Sequence, residues 1–331
     1  MSTAAGAEPL RTSPLTINGR LVGWLRDYSV IGIVAALFVV MSITAPNFLS
    51  VRNIMNILDQ NAPLMLVALG TTFVIISGAF DLSSGQVLSM CGVFGAYFTN
   101  SLDNAVLGIL LGVAVGVPAG LLNAALVGGI GVSSFLATLA TGLVFGGVAL
   151  MVTDGSSLDL SSNTQYTWLG THRFGEVPAS VVLTALVFVA LWLLLSTTVL
   201  GRQVHAVGSN PEAARLSGIS IPKVMTFVFV IGAVTAAIGG IIFSTRTGVG
   251  NTYGPANTLT LNAIAAVVIG GTSITGGRGA VWRTVFGVLL LAFLQNAFNL
   301  LDIEPFWQQI FSGIVIVLAI VLNTVGSRLG S

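Results

Sequence analysis

The chain has 331 residues, of which 54% are hydrophobic and only 7% charged, with a formal net charge of +1. Soluble domains carry roughly 25% charged residues, so an ordinary soluble globular protein is excluded and a polytopic, all-α membrane protein is expected. A net charge this near zero selects no charged partner, and no nucleic acid is expected. The 40 glycines suit tightly packed membrane helices, because small residues let backbones approach where no hydrophobic effect between helices is available. Cys91, the single cysteine, lies in an apolar run without a partner in the chain and reads as a buried thiol.

In chain order, residues 1–27 are rich in Ser, Thr, Ala and Gly and carry Arg11, Arg20 and Arg26, the pattern of a cytoplasmic tail. Apolar runs long enough to cross about 30 Å of hydrocarbon, or nearly so, follow at 28–45, 62–80, 86–99, 105–127, 134–152, 180–198, 224–243, 281–300 and 307–323. A shorter run at 261–277, LNAIAAVVIGGTSITGG, ends in glycines and reads as a short span, a re-entrant element or a broken helix. Charge decides whether it crosses. With about ten crossings and the N-terminus inside, Arg202, Arg215, Lys223, Arg278, Arg283 and Arg328 join the N-terminal arginines on the inside, leaving Arg52, Arg173 and Arg246 outside. The expected organisation is therefore one membrane domain, 28–323, with both tails (1–27 and 324–331) cytoplasmic. A longer outer loop, 153–179, carries Asp154, Asp159, His172, Arg173 and Glu176. The run at 261–273 echoes 60–73, with Asn262 and Gly271 standing where Asn61 and Gly70 do, a weak sign of an internal repeat.

The inner loop 201–223, GRQVHAVGSNPEAARLSGISIPK, concentrates charge in a chain that has little of it. Asn210 suits an N-cap, Pro211 the first helical position, Glu212 the positive end of the dipole and Gly218 the stop. A helix of about two turns results, too short to enter the membrane and marginal alone in water. It is either an ordinary capped connection or a docking helix for a cytoplasmic partner.

Within the apolar runs a few polar side chains remain. Asp81, in GAFDLSSG at a predicted cytoplasmic turn, is either a functional carboxylate or the cap of the next helix. Asn123 and Asn296 either bond a neighbouring helix or line a path for a hydroxyl-rich substrate, with Thr72, Ser77, Thr138, Thr141, Thr272 and Ser273 as lesser candidates. The glycine cluster GGTSITGGRG lacks the lysine of a phosphate-binding loop, since the sole lysine is Lys223, and reads as a turn after a broken helix. His172 and His205 are predicted on opposite faces, so no metal site is expected, and no Ser/His/Asp arrangement is evident.

The segment GRQVHAVGSNPEAARLSGI resembles the coupling segment of bacterial ABC-transporter permeases of the ribose, xylose, arabinose and autoinducer-2 type. GAFDLSSGQVLSM, GLLNAALVGGIGVSSFLATLATGLVFGG, NAIAAVVIGGTSITGGRGAV and LQNAFNLL follow the same family in order, over nearly the whole chain. The resemblance implies a type II, ten-helix importer permease in the bacterial inner membrane, working as a homodimer with a cytoplasmic ABC ATPase and a periplasmic sugar-binding protein. ATP and Mg would bind the ATPase, and no cofactor this chain. It also implies that Gly208, Asn210, Glu212, Ala213, Ala214, Arg215 and Gly218 face the ATPase. Three positions depart from the family pattern: Thr260 replaces an acidic residue, Arg283 a glycine, and Ala297 the glycine of N-G-L. The rivals are a same-superfamily permease for a nucleoside or branched-chain amino acid, and an ion-coupled secondary transporter.

Overall fold

The computed structural model describes residues 19–45, 47–251, 256–304, 306–311, 313–314 and 317. The first helix, α1 (Gly19–Thr44), is followed by α2 (Val51–Gln60) and α3 (Ala62–Ile76), which meet at 52°. The bend has a chemical cause: Pro63 opens α3 without an N–H to continue the ladder from α2. After α4 (Ser84–Leu102), α5 (Ala105–Ala114) and α6 (Gly116–Ala124) run into a π-helical turn (Ala125–Ile130), forming one apolar rod of 26 residues. At 1.5 Å per residue that rod is ~39 Å long, enough to cross hydrocarbon. The next long helix is α7 (Ser134–Val152).

The loop predicted at 153–179 is partly structured. Strand β1 (Leu158–Asp159), helix α8 (Thr164–Thr171) and a hairpin of β2 (Arg173–Phe174) with β3 (Val177–Pro178) lead into α9 (Ala179–Thr197). Strand β1 pairs antiparallel with β4 (Val249–Gly250), which comes after α12 (Ile221–Thr247), so the expected all-α fold carries four two-residue strands at its helix ends. Between α9 and α12 lie α10 (Val199–Ser209) and α11 (Pro211–Leu216). Helices α13 (Ala256–Ile269) and α14 (Val281–Leu300) complete the named elements.

Helix α12 is the axis of the bundle, packed on α3, α4 and α6. Of its apolar window 61% is buried, against 22% for α9, which makes α12 core and α9 peripheral. Backbones meet through glycine: a methyl group at Gly240 would overlap the Leu88 carbonyl, and one at Gly70 would overlap the Thr235 hydroxyl on α12. At the end of α12, Arg246 lies 3.5 Å from the Asp59 carboxylate of α2, whose other oxygen accepts from Ser180 at the start of α9. That clasp ties three helices at one end of the bundle.

Five helices are long and apolar enough to cross a membrane, or six if the bent α2–α3 pair is one span. They coincide with the predicted runs at 105–127, 134–152, 180–198, 224–243 and 281–300, and the bent pair covers the one at 62–80. Helix α4 fills the run at 86–99, but Ser84, Gln86, Ser89, Thr99 and Asn100 keep it out of that set. The run at 28–45 corresponds to the shorter apolar helix Val30–Thr44, and the first part of 261–277 falls in another, Thr258–Ile269. Helix α13 ends at Ile269 because Gly271 takes φ +86°, so the glycine-rich tail is a turn and not helix. The echo between 60–73 and 261–273 is not structural at its glycines: Gly70 lies inside α3, whereas Gly271 lies beyond α13. The expected run 307–323 and both expected tails lie wholly or mostly outside the described residues.

Candidate functional site

Helix α11 is built by its caps. Asn210 Oδ1 accepts from the Ala213 N–H at 3.0 Å, and Pro211 opens the helix. At the other end Gly218 takes φ +82°, and the N–H groups of Gly218 and Ile219 donate to the carbonyls of Arg215 and Ala214. Glu212 and Arg215 pair at 2.6 Å on the exposed side, and the guanidinium holds the carboxyl below the usual carboxylate range. Ala214 is buried, Ala213 faces solvent, and Leu216 is 75% exposed, an apolar side chain offered to solvent by a helix of six residues.

What holds so short a helix is α10, which the sequence did not show as a helix of its own. Thr198, extended and accepting from the Gly201 N–H, caps it directly after α9. Its last turn meets two other chain segments at backbone distance. A methyl group at Gly208 would overlap the Ile76 carbonyl oxygen, to which the Gly277 N–H donates at 2.8 Å. His205 completes the joint, its Nδ1 lying 2.9 Å from the Gly201 carbonyl and its Nε2 3.3 Å from that of Gly279. The end of α3, the end of α10 and the turn after α13 therefore form one packed unit beneath α11.

A second constellation lies deeper. Asp81 is buried, and its Oδ1 accepts from both the N–H (2.8 Å) and the hydroxyl (2.6 Å) of Ser83. The Ser83 hydroxyl accepts from Asn123 Nδ2 at 2.8 Å, and Asn123 Oδ1 accepts from Thr141 at 2.6 Å. Alongside, the N–H groups of Phe80 and Leu82 donate to Ser134 and Thr138 of α7. The other carboxylate oxygen of Asp81 faces Gly232. Gly232 lies eleven residues into α12, ~16 Å along its axis, so Asp81 sits near the middle of the bundle and not at the surface turn the sequence implied. Nor is it the cap of α4: Ser83 holds that position, with Asp81 folding the approach to it. Thr260 joins the same region by accepting from the Gly85 N–H at 2.9 Å, so the residue departing from the family pattern secures α13 to the start of α4.

The remaining sequence candidates are not brought to this chain of hydrogen bonds. Thr272 is fully buried beside Gly279, with its hydroxyl unpartnered, while Ser273 bonds Thr275 within the following turn. Thr72 pairs with Thr284 at 2.7 Å, and Ser77 bonds the backbone of its own helix. Asn296 forms a reciprocal amide pair with Asn53, at 3.1 and 3.2 Å, joining α14 to α2. Sequence reasoning missed Asn53 and Asp59, which lie in the mixed polar and apolar helix α2 and carry no local signal of their partners, and it read Ser83 only as part of a turn. Asn296→Leu is expected to lower thermal stability by about 1 kcal/mol and to leave uptake intact, with the Asn53→Leu partner change losing less than additively. Loss of uptake at unchanged melting temperature would instead place Asn296 on the translocation path. Among the described residues, no group of three or more His, Cys, Asp or Glu side chains is arranged to hold a metal ion.

A bundle with five or six apolar helices of membrane-spanning length, a buried polar chain and one short polar helix mounted at its end marks a polytopic membrane protein. The chain belongs to the family of permease components described as "branched-chain amino acid transport system / permease component", whose pattern matches residues 53–320. It is 38% identical to the ribose import permease protein of Bacillus subtilis (strain 168), over 87% of this chain and 89% of the relative. Against the ribose import permease protein of Escherichia coli (strain K12) it is 34% identical, over 93% of this chain and 98% of that one. The L-arabinose transport system permease protein of the same strain is 32% identical over 90% of each chain. No solved structure matches the chain.

Proposed function

We propose that this chain is the membrane-spanning subunit of an ATP-driven importer, that it carries a monosaccharide, and that ATP is hydrolysed on a separate cytoplasmic ATPase holding ATP and Mg. The observation that carries this reading is α11: a capped helix with an exposed ion pair and an exposed leucine, mounted on a backbone-packed joint. A connection that only joined two helices would not need such mounting. The named relatives, ribose and arabinose permeases aligned over about nine-tenths of both chains, support the sugar as cargo. Beyond Asp81 the buried polar chain consists of the Ser83 and Thr141 hydroxyls and the Asn123 amide, neutral groups that suit hydroxyl-rich cargo. A branched-chain amino acid is the second reading, favoured only by the description of the family.

In this reading about ten crossings of a type II permease place residues 201–223 and both tails (1–27, 324–331) in the cytoplasm, around one domain at 28–323 in the bacterial inner membrane. Two copies enclose a central pathway, and a periplasmic binding protein delivers the sugar. Asn210, Glu212, Ala213, Arg215 and Gly218 form the ATPase-facing surface, with Ala214 buried behind it and Gly208 in the joint beneath rather than at the contact, and Asp81 and Asn123 are the strongest pathway candidates. Transport requires ligands that discriminate between the outward- and inward-open states, and ATP closure of the partner provides one of them through α11.

The test is uptake by the assembled importer. Glu212→Lys breaks the ion pair and reverses the exposed charge, and Gly218→Val forces a branched side chain into the left-handed region at a cost of about 1–2 kcal/mol. Both variants are expected to insert and to retain ATP hydrolysis in the complex while sugar uptake falls to background. Uptake at the native rate in both would reject the docking role. Ion-driven uptake by this chain alone, without ATP, would establish the secondary transporter instead.

A further inference from the structure

The glycine-rich segment after α13 has no role in the transport scheme so far, yet it is among the most tightly constrained loops of the molecule. Gly276 and Gly277 are consecutive left-handed residues, at φ +85° and +75°, a path that side chains beyond glycine resist. The Ser273 N–H donates to the Arg278 carbonyl at 2.9 Å and the Gly276 N–H to that of Ser273 at 3.0 Å, closing a compact turn. Its base is locked to α10: a methyl group at Gly276 would crowd the Gly208 carbonyl, one at Gly277 would strike Ser209, and His205 reaches Gly279. Ser209 directly precedes Asn210, the cap of α11. The turn and α11 are thus mounted on the same backbone joint.

The tip of the turn is open. Ile274 is 39% exposed, and Thr275 and Arg278 reach solvent to differing degrees, while the Gly276 beneath them is buried. An apolar side chain near an arginine repeats the chemistry of α11, where Leu216 stands beside Arg215.

We propose that the turn at 273–278 is the second half of the ATPase-facing surface, with Ile274, Thr275 and Arg278 as its contact residues. This rests on the reading of α11 as the coupling helix, with which the turn is continuous. The ATPase surface it fits is an apolar recess for Leu216 and Ile274 with an acidic group opposite Arg278, Arg215 being already paired with Glu212. A bipartite footprint has a mechanical consequence. Force applied to α11 alone enters through α10, whereas force on the turn enters directly between α13 and α14.

The experiment compares Thr275→Cys with Leu216→Cys in membranes, with and without the ATPase subunit, using a charged maleimide. Cys91 is buried and stays in place. Both new thiols are expected to react in the permease alone and to lose that reactivity when the ATPase is bound. If Thr275→Cys stays reactive while Leu216→Cys is protected, the proposal fails and the coupling reading of α11 stands. Protection of neither overturns the coupling reading with it. As an independent measure, Arg278→Glu should reduce the ATPase retained on washed membranes, and unchanged retention would count against the turn.

Discussion

Gly208→Val is expected to abolish uptake and to lower the melting temperature of the purified permease. A Cβ at this position would overlap the Ile76 carbonyl oxygen and crowd the Gly277 N–H, the two groups whose hydrogen bond ties the turn after α13 to the end of α3. Neither neighbour is the far end of a flexible side chain, so relief requires backbone movement. Overpacking of this kind typically costs about 1–3 kcal/mol, and a branched side chain at a backbone contact belongs towards the upper end of that range. The effect should reach transport before it reaches insertion, because the long apolar helices are not part of the joint. Gly147→Ala is the matched control: it lies on an exposed face of α7, where a methyl group meets nothing within 4 Å. Helix propensity favours alanine there by roughly 0.5–1 kcal/mol. Equal uptake in the two variants would show that the joint transmits nothing.

The same contrast explains what the sequence could disclose. The long helices were legible because hydrocarbon thickness imposes a minimum length of apolar chain, and that constraint is local. The caps of α11 were legible for a similar reason: Asn210, Pro211 and Gly218 act within one turn of where they stand. Helix α10 was not, since Thr198 interrupts an apolar stretch without a proline or glycine, and only its extended backbone separates α9 from α10. The depth of Asp81 was hidden too. A turn between two apolar runs is expected at the membrane surface, but this one folds back along α12 as far as Gly232. Partnerships across the bundle were the least accessible. Asn296 stands 243 residues from Asn53, and Ser83 stands 40 from Asn123, so an amide seen in the sequence advertises a need for a partner without naming it. Only the family resemblance suggested a partner for α11, and that partner remains a proposal.

Asp81→Asn and Asp81→Leu should separate the structural from the functional role of that carboxylate. In the native protein Asp81 Oδ1 accepts two hydrogen bonds from Ser83, and Ser83 in turn accepts from Asn123. Asparagine presents an oxygen of the same reach, so its two bonds survive and the chain to Thr141 is kept. Leucine removes the acceptor and leaves a buried N–H and a buried hydroxyl without their partner, at roughly 1–3 kcal/mol for each unsatisfied group. The leucine variant should therefore melt well below the native protein, with loosening between the 77–83 loop and α6–α7, while the asparagine variant melts near it. Charge is the remaining variable. A carboxylate at mid-bundle depth is expensive unless it does something that a neutral amide cannot. If Asp81→Asn is stable and imports at the native rate, hydrogen bonding alone explains the residue and the charge has no part in transport. If it is stable and uptake collapses while ATP hydrolysis continues, the carboxyl group itself, and not only its acceptor oxygen, acts on the cargo or on the opening of the pathway. The second outcome is the expected one, since the oxygen that faces Gly232 on the central helix takes no part in the hydrogen bonds to Ser83.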